Sequence, residues 1–127
     1  MGLTHISLTL MSGPRDGEML RFKTNPGGVP TTLSFGRRET CDIPLAYDSQ
    51  VSRLHAHLIL EGDQFFIEDL SSRNGTFIDK QRIEGKVAIH PGAMFRVGRT
   101  WVRLDSLPPD ETQAAEAISN DENLDPF

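Results

Sequence analysis

The 127-residue chain has one cysteine, Cys41, so no disulfide can close within it and a reduced, cytoplasmic setting is expected. Its apolar stretches are interrupted every few residues, far short of the roughly 20 that cross a bilayer as a helix. Residues 1–6 lack the basic and apolar segments of a secretory signal, and Ile6 stands where a myristoylation signal wants Ser or Thr. No membrane partner is therefore expected. No 10-residue window before Ser106 carries a helical period, and no internal repeat is present. Finally, no Lys or Arg follows Arg103. That last absence splits the charge. Residues 1–104 hold 13 basic and 11 acidic side chains, a net +2, whereas the remainder holds seven acids and no base. The overall −5 thus belongs to the C-terminal end. A domain at +2 suits an anionic ligand but is too weakly basic for general nucleic-acid binding.

What is present is strand-forming sequence between turn signals. Ile6, Leu8 and Leu10 alternate with Ser7 and Thr9, the period of a half-buried strand. Further strands are predicted over residues 19–22, 31–35, 54–60, 65–70, 76–78, 82–83, 87–89, 94–97 and 100–104. Between them lie Gly13-Pro14-Arg15-Asp16-Gly17, Asn25-Pro26-Gly27-Gly28, the hairpin signal Glu61-Gly62-Asp63-Gln64, Asn74-Gly75 and His90-Pro91-Gly92. In Asn74-Gly75 both residues tolerate positive φ at low cost. Short strands at intervals of about 8–12 residues imply an all-β sandwich or barrel. From Pro108 onward Pro, Asp, Glu, Asn and Ala dominate. Residues 1–105 are therefore read as one domain and 106–127 as an acidic, disordered tail, in which 112–118 could form at most a turn or two of helix.

Three islands of polar chemistry fall in turns or at strand ends: Gly36-Arg37, Ser52-Arg53-Leu54-His55, and Ser71-Ser72-Arg73-Asn74-Gly75-Thr76. Binding residues concentrate in loops held by a rigid scaffold. Gly36-Arg37, then Ser52-Arg53 and His55, then Asp69-Leu70 leading into Asn74-Gly75-Thr76, and a late Gly98, together resemble the forkhead-associated (FHA) domain over residues 4–105. The resemblance implies a non-catalytic FHA-type β-sandwich of about eleven short strands in two sheets. It further implies a partner that carries phosphothreonine, such as a Ser/Thr protein kinase or its substrate, and no cofactor.

By the same resemblance, Arg37 contacts the phosphate, Ser52 donates its hydroxyl to it, and Arg53 supplies a second donor set. Arg73 borders the phosphate or meets acidic peptide residues, and Asn74 clamps the peptide backbone. Gly36, His55, Gly75 and Thr76 shape the loops. The chemistry is apt, because a phosphothreonine brings nearly two negative charges that an arginine fork can meet with several N–H donors. Charge-assisted bonds worth about 1.5–3 kcal/mol each could sustain a micromolar complex. Gly98-Arg99 is read as a turn and a solvated charge.

Competing readings of the same residues are weaker. Ser52, His55 and Asp69 supply the residue types of a hydrolase triad, but no nucleophile-elbow pattern surrounds Ser52. His55 and His57, at i and i+2 on a strand, could share a face and a metal, yet only His5 and His90 remain as further histidines and no ligand pattern surrounds Cys41. A phospho-independent interaction module of the same fold is the nearer rival. The chain could also be a piece of a larger regulator associated with transcription, kinases or secretion. Thr112, in Asp110-Glu111-Thr112-Gln113, resembles a site for acidophilic kinases and, once phosphorylated, could occupy the domain's own site.

Overall fold

A computed structural model describes residues 3–106 of the chain. The acidic tail beyond Ser106, with Thr112 and the short helix considered there, lies outside the described residues. Eleven strands form: β1 (His5–Leu10), β2 (Met19–Lys23), β3 (Thr31–Gly36), β4 (Ile43–Pro44), β5 (Ala56–Glu61), β6 (Gln64–Asp69), β7 (Thr76–Ile78), β8 (Gln81–Arg82), β9 (Lys86–Ile89), β10 (Met94–Val97) and β11 (Thr100–Leu104). One 3₁₀ turn, Gly13–Arg15, lies between β1 and β2. No helix among the described residues is long and apolar enough to cross a membrane.

The strands make two sheets, ordered β2-β1-β11-β10-β7-β8 and β4-β3-β5-β6-β9. Alternation along each strand decides which side chains meet between them. Ile6, Leu8 and Leu10 of β1, Phe95 and Val97 of β10, and Val102 and Leu104 of β11 are buried from one sheet. Leu33 and Phe35 of β3, Leu58 and Leu60 of β5, and Phe65 and Ile67 of β6 are buried from the other. Phe35 meets Phe95 edge-on, with ring centroids 5.5 Å apart and planes at 88°. This is the favoured quadrupolar arrangement of an aromatic pair, and it sits in the core cluster that both sheets share.

Turn chemistry sets the connections. Glu61 and Gln64 pair across a two-residue loop whose first member is Gly62 at φ 62°. The β7–β8 hairpin turns on Asp79 and Lys80, both at positive φ, as a two-residue turn matched to strand twist demands. The sequence pattern carried no signal for it.

Several strand expectations need correction, among them β6, which ends at Asp69 and not at residue 70. β4 was not foreseen, because two residues show no alternation. Ile43 pairs with Phe35 in parallel, and Pro44, which has no N–H to donate, sits on the sheet edge. β5 begins at Ala56 and not at residue 54. Leu54 keeps the alternating register but lies past the end of the sandwich, 40% exposed. Finally, β8 ends at Arg82, one residue earlier than expected, although Ile83 still donates its N–H to Thr76 O.

Candidate phosphopeptide-binding site

Four connections converge at one end of the sandwich: β3–β4, β4–β5, β6–β7 and β10–β11. The first two are stitched through the main chain. Arg37 N donates to Ser52 O at 3.1 Å, Arg38 N to Arg53 O at 3.3 Å, and Leu45 N to Gly36 O at 2.7 Å. Gly36 is required by this close approach. A Cβ there would stand 2.2 Å from Arg53 O and 2.9 Å from Cys41 Sγ.

His55 is the pin of the assembly and is fully buried. Ser52 N donates to its Nδ1 at 3.0 Å, so that nitrogen must be the acceptor. Its Nε2 lies 2.9 Å from Gly75 O, which can only accept, so Nε2 carries the proton. The partners therefore define a neutral imidazole of one tautomer. Burial pushes its pKa below the ordinary value, against the upward pull of the Gly75 carbonyl and Asp69. The ring thus joins the β4–β5 loop to the β6–β7 loop, the structural role expected of it.

The β6–β7 loop is folded around a carboxylate. Asp69 Oδ1 accepts from Ser72 Oγ at 2.5 Å and Thr76 Oγ1 at 2.7 Å, while Oδ2 accepts from Ser72 N at 3.1 Å. Ser72 Oγ in turn accepts from Gly75 N at 3.0 Å. Burial alone would raise the Asp69 carboxyl, but the hydrogen bonds from Ser72 and Thr76 outweigh it and hold the group below its usual range. Gly75 takes φ 91°, which fits the expected turn, whereas Asn74 is not among the positive-φ residues. Arg82 Nη2 donates to Ser72 O and closes the outer side of the loop.

Asp48 does the same for the β4–β5 loop. Its Oδ1 accepts from Gln50 N at 2.9 Å, and its Oδ2 accepts from Arg99 N at 2.8 Å and Thr100 Oγ1 at 2.7 Å. Gly98 is thus more than a turn residue. At φ 61° it lies under Val51, and a Cβ would meet Val51 Cγ2 at 2.7 Å.

These braces place Arg37, Ser52, Arg53, Arg73 and Asn74, with Ser49, Gln50 and Val51, around one cleft of about 280 Å3. All five residues expected at the binding site line it, and no acidic side chain does. Arg37 Nε donates to Val51 O at 2.7 Å, which fixes the guanidinium plane and leaves both terminal amino groups for a ligand. The side chains of Arg53 and Arg73 take no part in the ion pairs among the described residues, which join Arg15 to Glu18, Lys86 to Glu61 and Arg103 to Asp105. Ser52 Oγ accepts from Arg73 N at 3.1 Å, so its own O–H remains free to donate. Asn74 Nδ2 donates to Gln50 O at 2.9 Å, leaving the amide oxygen and a second N–H. A larger hollow of about 640 Å3 at the opposite end holds only Lys23 and Asp63 as charged lysine or acid groups, so charge does not concentrate there.

The rival chemistries find no geometry here. Neither ring nitrogen of His55 meets Ser52 Oγ or Asp69, as a triad would require. Both nitrogens are engaged, so His55 offers no lone pair to a metal beside the half-buried His57.

The FHA-domain family model matches residues 33–98 of the chain. The chain belongs to the FHA-domain family. Among curated relatives, the FHA domain-containing protein FhaB of Mycolicibacterium smegmatis is 30% identical over 89 residues, which are 70% of this chain and 56% of that protein. The glycogen accumulation regulator GarA of the same organism is 39% identical over 92 residues, 72% of this chain and 53% of that protein. The chain thus spans about half the length of these relatives. Among solved structures, the FHA domain of CT664 from Chlamydia trachomatis superposes with a TM-score of 0.69 at 25% identity, covering 82% of this chain and 99% of that one. An FHA domain solved in a study of phosphothreonine-dependent FHA interactions gives a TM-score of 0.67 at 23% identity over 83% of this chain and 99% of that one.

Sequence reasoning did not assign Ser49, Gln50 and Val51 of the lining to the site, nor the bracing residues Asp69, Ser72, Asp48 and Arg82. Two had a local signal. Asp48 accepts from the N–H two residues on and Asp69 from the N–H three residues on, both familiar side-chain-to-backbone turn patterns. Arg82 had none, because its contact crosses from the β7–β8 hairpin.

Proposed function

We propose that the FHA domain, residues 1–105, is a phosphothreonine-peptide-binding signalling module and has no catalytic role. The observation that carries this reading is the cleft of Arg37, Arg53 and Arg73 around the Ser52 hydroxyl, without a lining acid. Like charges gathered without counter-ions cost stability, and a dianionic ligand relieves that cost. Arg37 meets two phosphate oxygens through its terminal amino groups, with its plane held by Val51 O. The Ser52 O–H donates to a third oxygen, and Arg53 and Arg73 close over the group. Asn74, anchored on Gln50 O, uses its remaining amide atoms to hold the peptide backbone beside the phosphothreonine. The relative studied for phosphothreonine-dependent interactions supports the same ligand class. The partner is then a phosphorylated protein, a Ser/Thr kinase or a kinase substrate, met in the cytoplasm.

The test is a titration with one threonine peptide in phosphorylated and unphosphorylated forms. The phosphorylated form is expected to bind in the micromolar range and the other at least about a hundredfold more weakly, the loss of two charge-assisted bonds. Equal binding of both forms would favour the phospho-independent module. Arg37→Ala is expected to weaken the phosphopeptide by at least about tenfold while circular dichroism shows the sandwich still folded.

A further inference from the structure

The outer face of the β2-β1-β11-β10-β7-β8 sheet gathers positive charge. Ile6, Leu8, Val102 and Leu104 are buried in the core, so the alternate positions of the same strands face outward. Register sets Arg21 opposite Ser7, Lys23 opposite His5, Arg103 opposite Thr9, and Arg96 between Trp101 and Phe77. The acid on this face, Asp105, is already engaged: Ser7 Oγ, Thr9 Oγ1 and Arg103 Nε all donate to it within 3.0 Å. Arg21, Lys23 and Arg96 have no acidic partner among the described residues. The face thus holds four cations against one acid, whereas residues 1–105 hold 13 basic and 12 acidic side chains. The outer face of the other sheet has the opposite sign, with Glu61 and Glu68 against a Lys86 that Glu61 holds at 3.1 Å.

A groove of about 530 Å3 crosses this face, lined by Ser7, Met19, Arg21, Arg103, Asp105 and Ser106. It offers apolar contact as well as charge, since Met19 is 65% exposed at its rim. Ser106 is the last described residue, so the chain enters the groove as it leaves β11. It does so away from the arginine cleft, because β11 runs from the Gly98 turn and Asp105 N donates to Ser7 O on the remote half of the sheet. Beyond Ser106 come six acids and no base, with Leu107, Ile118, Leu124 and Phe127 among them. Asp110 is four residues from Ser106, a reach of at most about 14 Å, or about three strand spacings. Arg21 lies two strands from β11 and Arg96 one strand away. The first acids of the segment thus come within reach of both, and tethering raises their effective concentration there to the order of millimolar.

We propose that the outer face of β2, β1, β11 and β10 is the docking surface of the chain's own acidic segment, residues 107–127. Its carboxylates meet Arg21, Lys23 and Arg96, and its apolar side chains cover Met19 and Trp101. Docking there keeps the acids off the arginine cleft. The proposal stands apart from the phosphothreonine reading, because none of these residues lines that cleft.

The chain supplies its own reporter. Trp101 is its one tryptophan, half-buried on this face, with the Arg96 guanidinium 5.9 Å from its ring centroid. The experiment compares acrylamide quenching of Trp101 in the 127-residue chain and in a variant with the six acids replaced by their amides. A tethered segment that covers the ring about half the time makes quenching about twofold stronger once it is released. That rise is expected in the amide variant, and in the unaltered chain at about 0.5 M salt, where the attraction is screened. Arg21→Gln with Lys23→Gln, both exposed and unpaired, is expected to give the same rise with the acids intact. Backbone amide NMR shifts between the chain and its amide variant are expected to map to β2, β1, β11 and β10. Equal quenching of the two chains would overturn the proposal. So would shifts gathered at Arg37, Ser52 and Arg73, which would put the segment in the arginine cleft. Protection lost on about tenfold dilution would overturn it too, because a tethered segment does not dilute and the occupant would be a second copy's.

Discussion

At the scale of single residues, two titrating groups hold the binding loops, and both act in the same direction on acidification. His55 is held neutral with its pKa below the ordinary 6.5. Below that pH the unfolded chain takes up a proton that the folded ring refuses. Unfolding then gains protons, and stability falls as the pH drops from 6.5 toward the folded pKa. Asp69 is held below its ordinary 3.8, so its contribution is complete above that value and is lost as the pH falls through the folded pKa. Urea unfolding between pH 8 and 2 is expected to show two successive losses of stability. His55→Gln, which cannot titrate, is expected to erase the upper one; an unchanged upper loss would show that another group causes it.

At the scale of elements, the strands were readable because alternation is a local property. Residues 6–10, 31–35 and 100–104 declare their buried faces without reference to any neighbour, and the glycine turns mark their ends. β4 was not readable, because its two residues become a strand only by pairing with β3. The loops divide in the same way. Gly36 was legible as a motif member, but its reason is the carbonyl of Arg53, 17 residues away in sequence. Gly36→Ala is expected to cost about 1–3 kcal/mol or more, as overpacking against immovable backbone does. Gly62→Ala, at φ 62° with open space around it, is expected to cost only about 1–2 kcal/mol. Chemical denaturation of the two variants compares them directly. Ser72→Ala removes the group that links Asp69 to Gly75 N. It is expected to cost about 1–3 kcal/mol of stability and to weaken phosphopeptide binding without touching the ligand. Calorimetry together with peptide titration would reveal whether both effects appear.

At the scale of the whole molecule, charge is distributed against the ligand. Residues after Ser106 carry six acids, Asp110, Glu111, Glu116, Asp121, Glu122 and Asp125, and no base, while the domain before them is mildly basic. An anionic peptide approaching the arginine cleft feels both. Replacing those six acids by their amides in the 127-residue chain is expected to speed phosphopeptide association at low salt. The difference is expected to fade near 0.5 M salt, where the screening length falls to a few ångströms, between the roughly 8 Å of 0.15 M and 3 Å of 1 M. Stopped-flow association rates across a salt series would measure it; identical rates at low salt would show that the acidic segment exerts no field on the site.

The sequence alone determined the all-β class, most strand positions, the sign of charge on either side of Arg103 and, through its resemblance to the FHA family, five of the eight residues that line the cleft. Those properties are encoded locally, in period, turn residues and short motifs. The tertiary structure alone decided how the islands meet. It brought residues 37, 52 and 73 around one cleft, set the tautomer of His55, and turned Asp48 and Asp69 into braces. Each of these depends on hydrogen bonds or contacts between loops far apart in the chain, and a pattern read along the chain does not contain them.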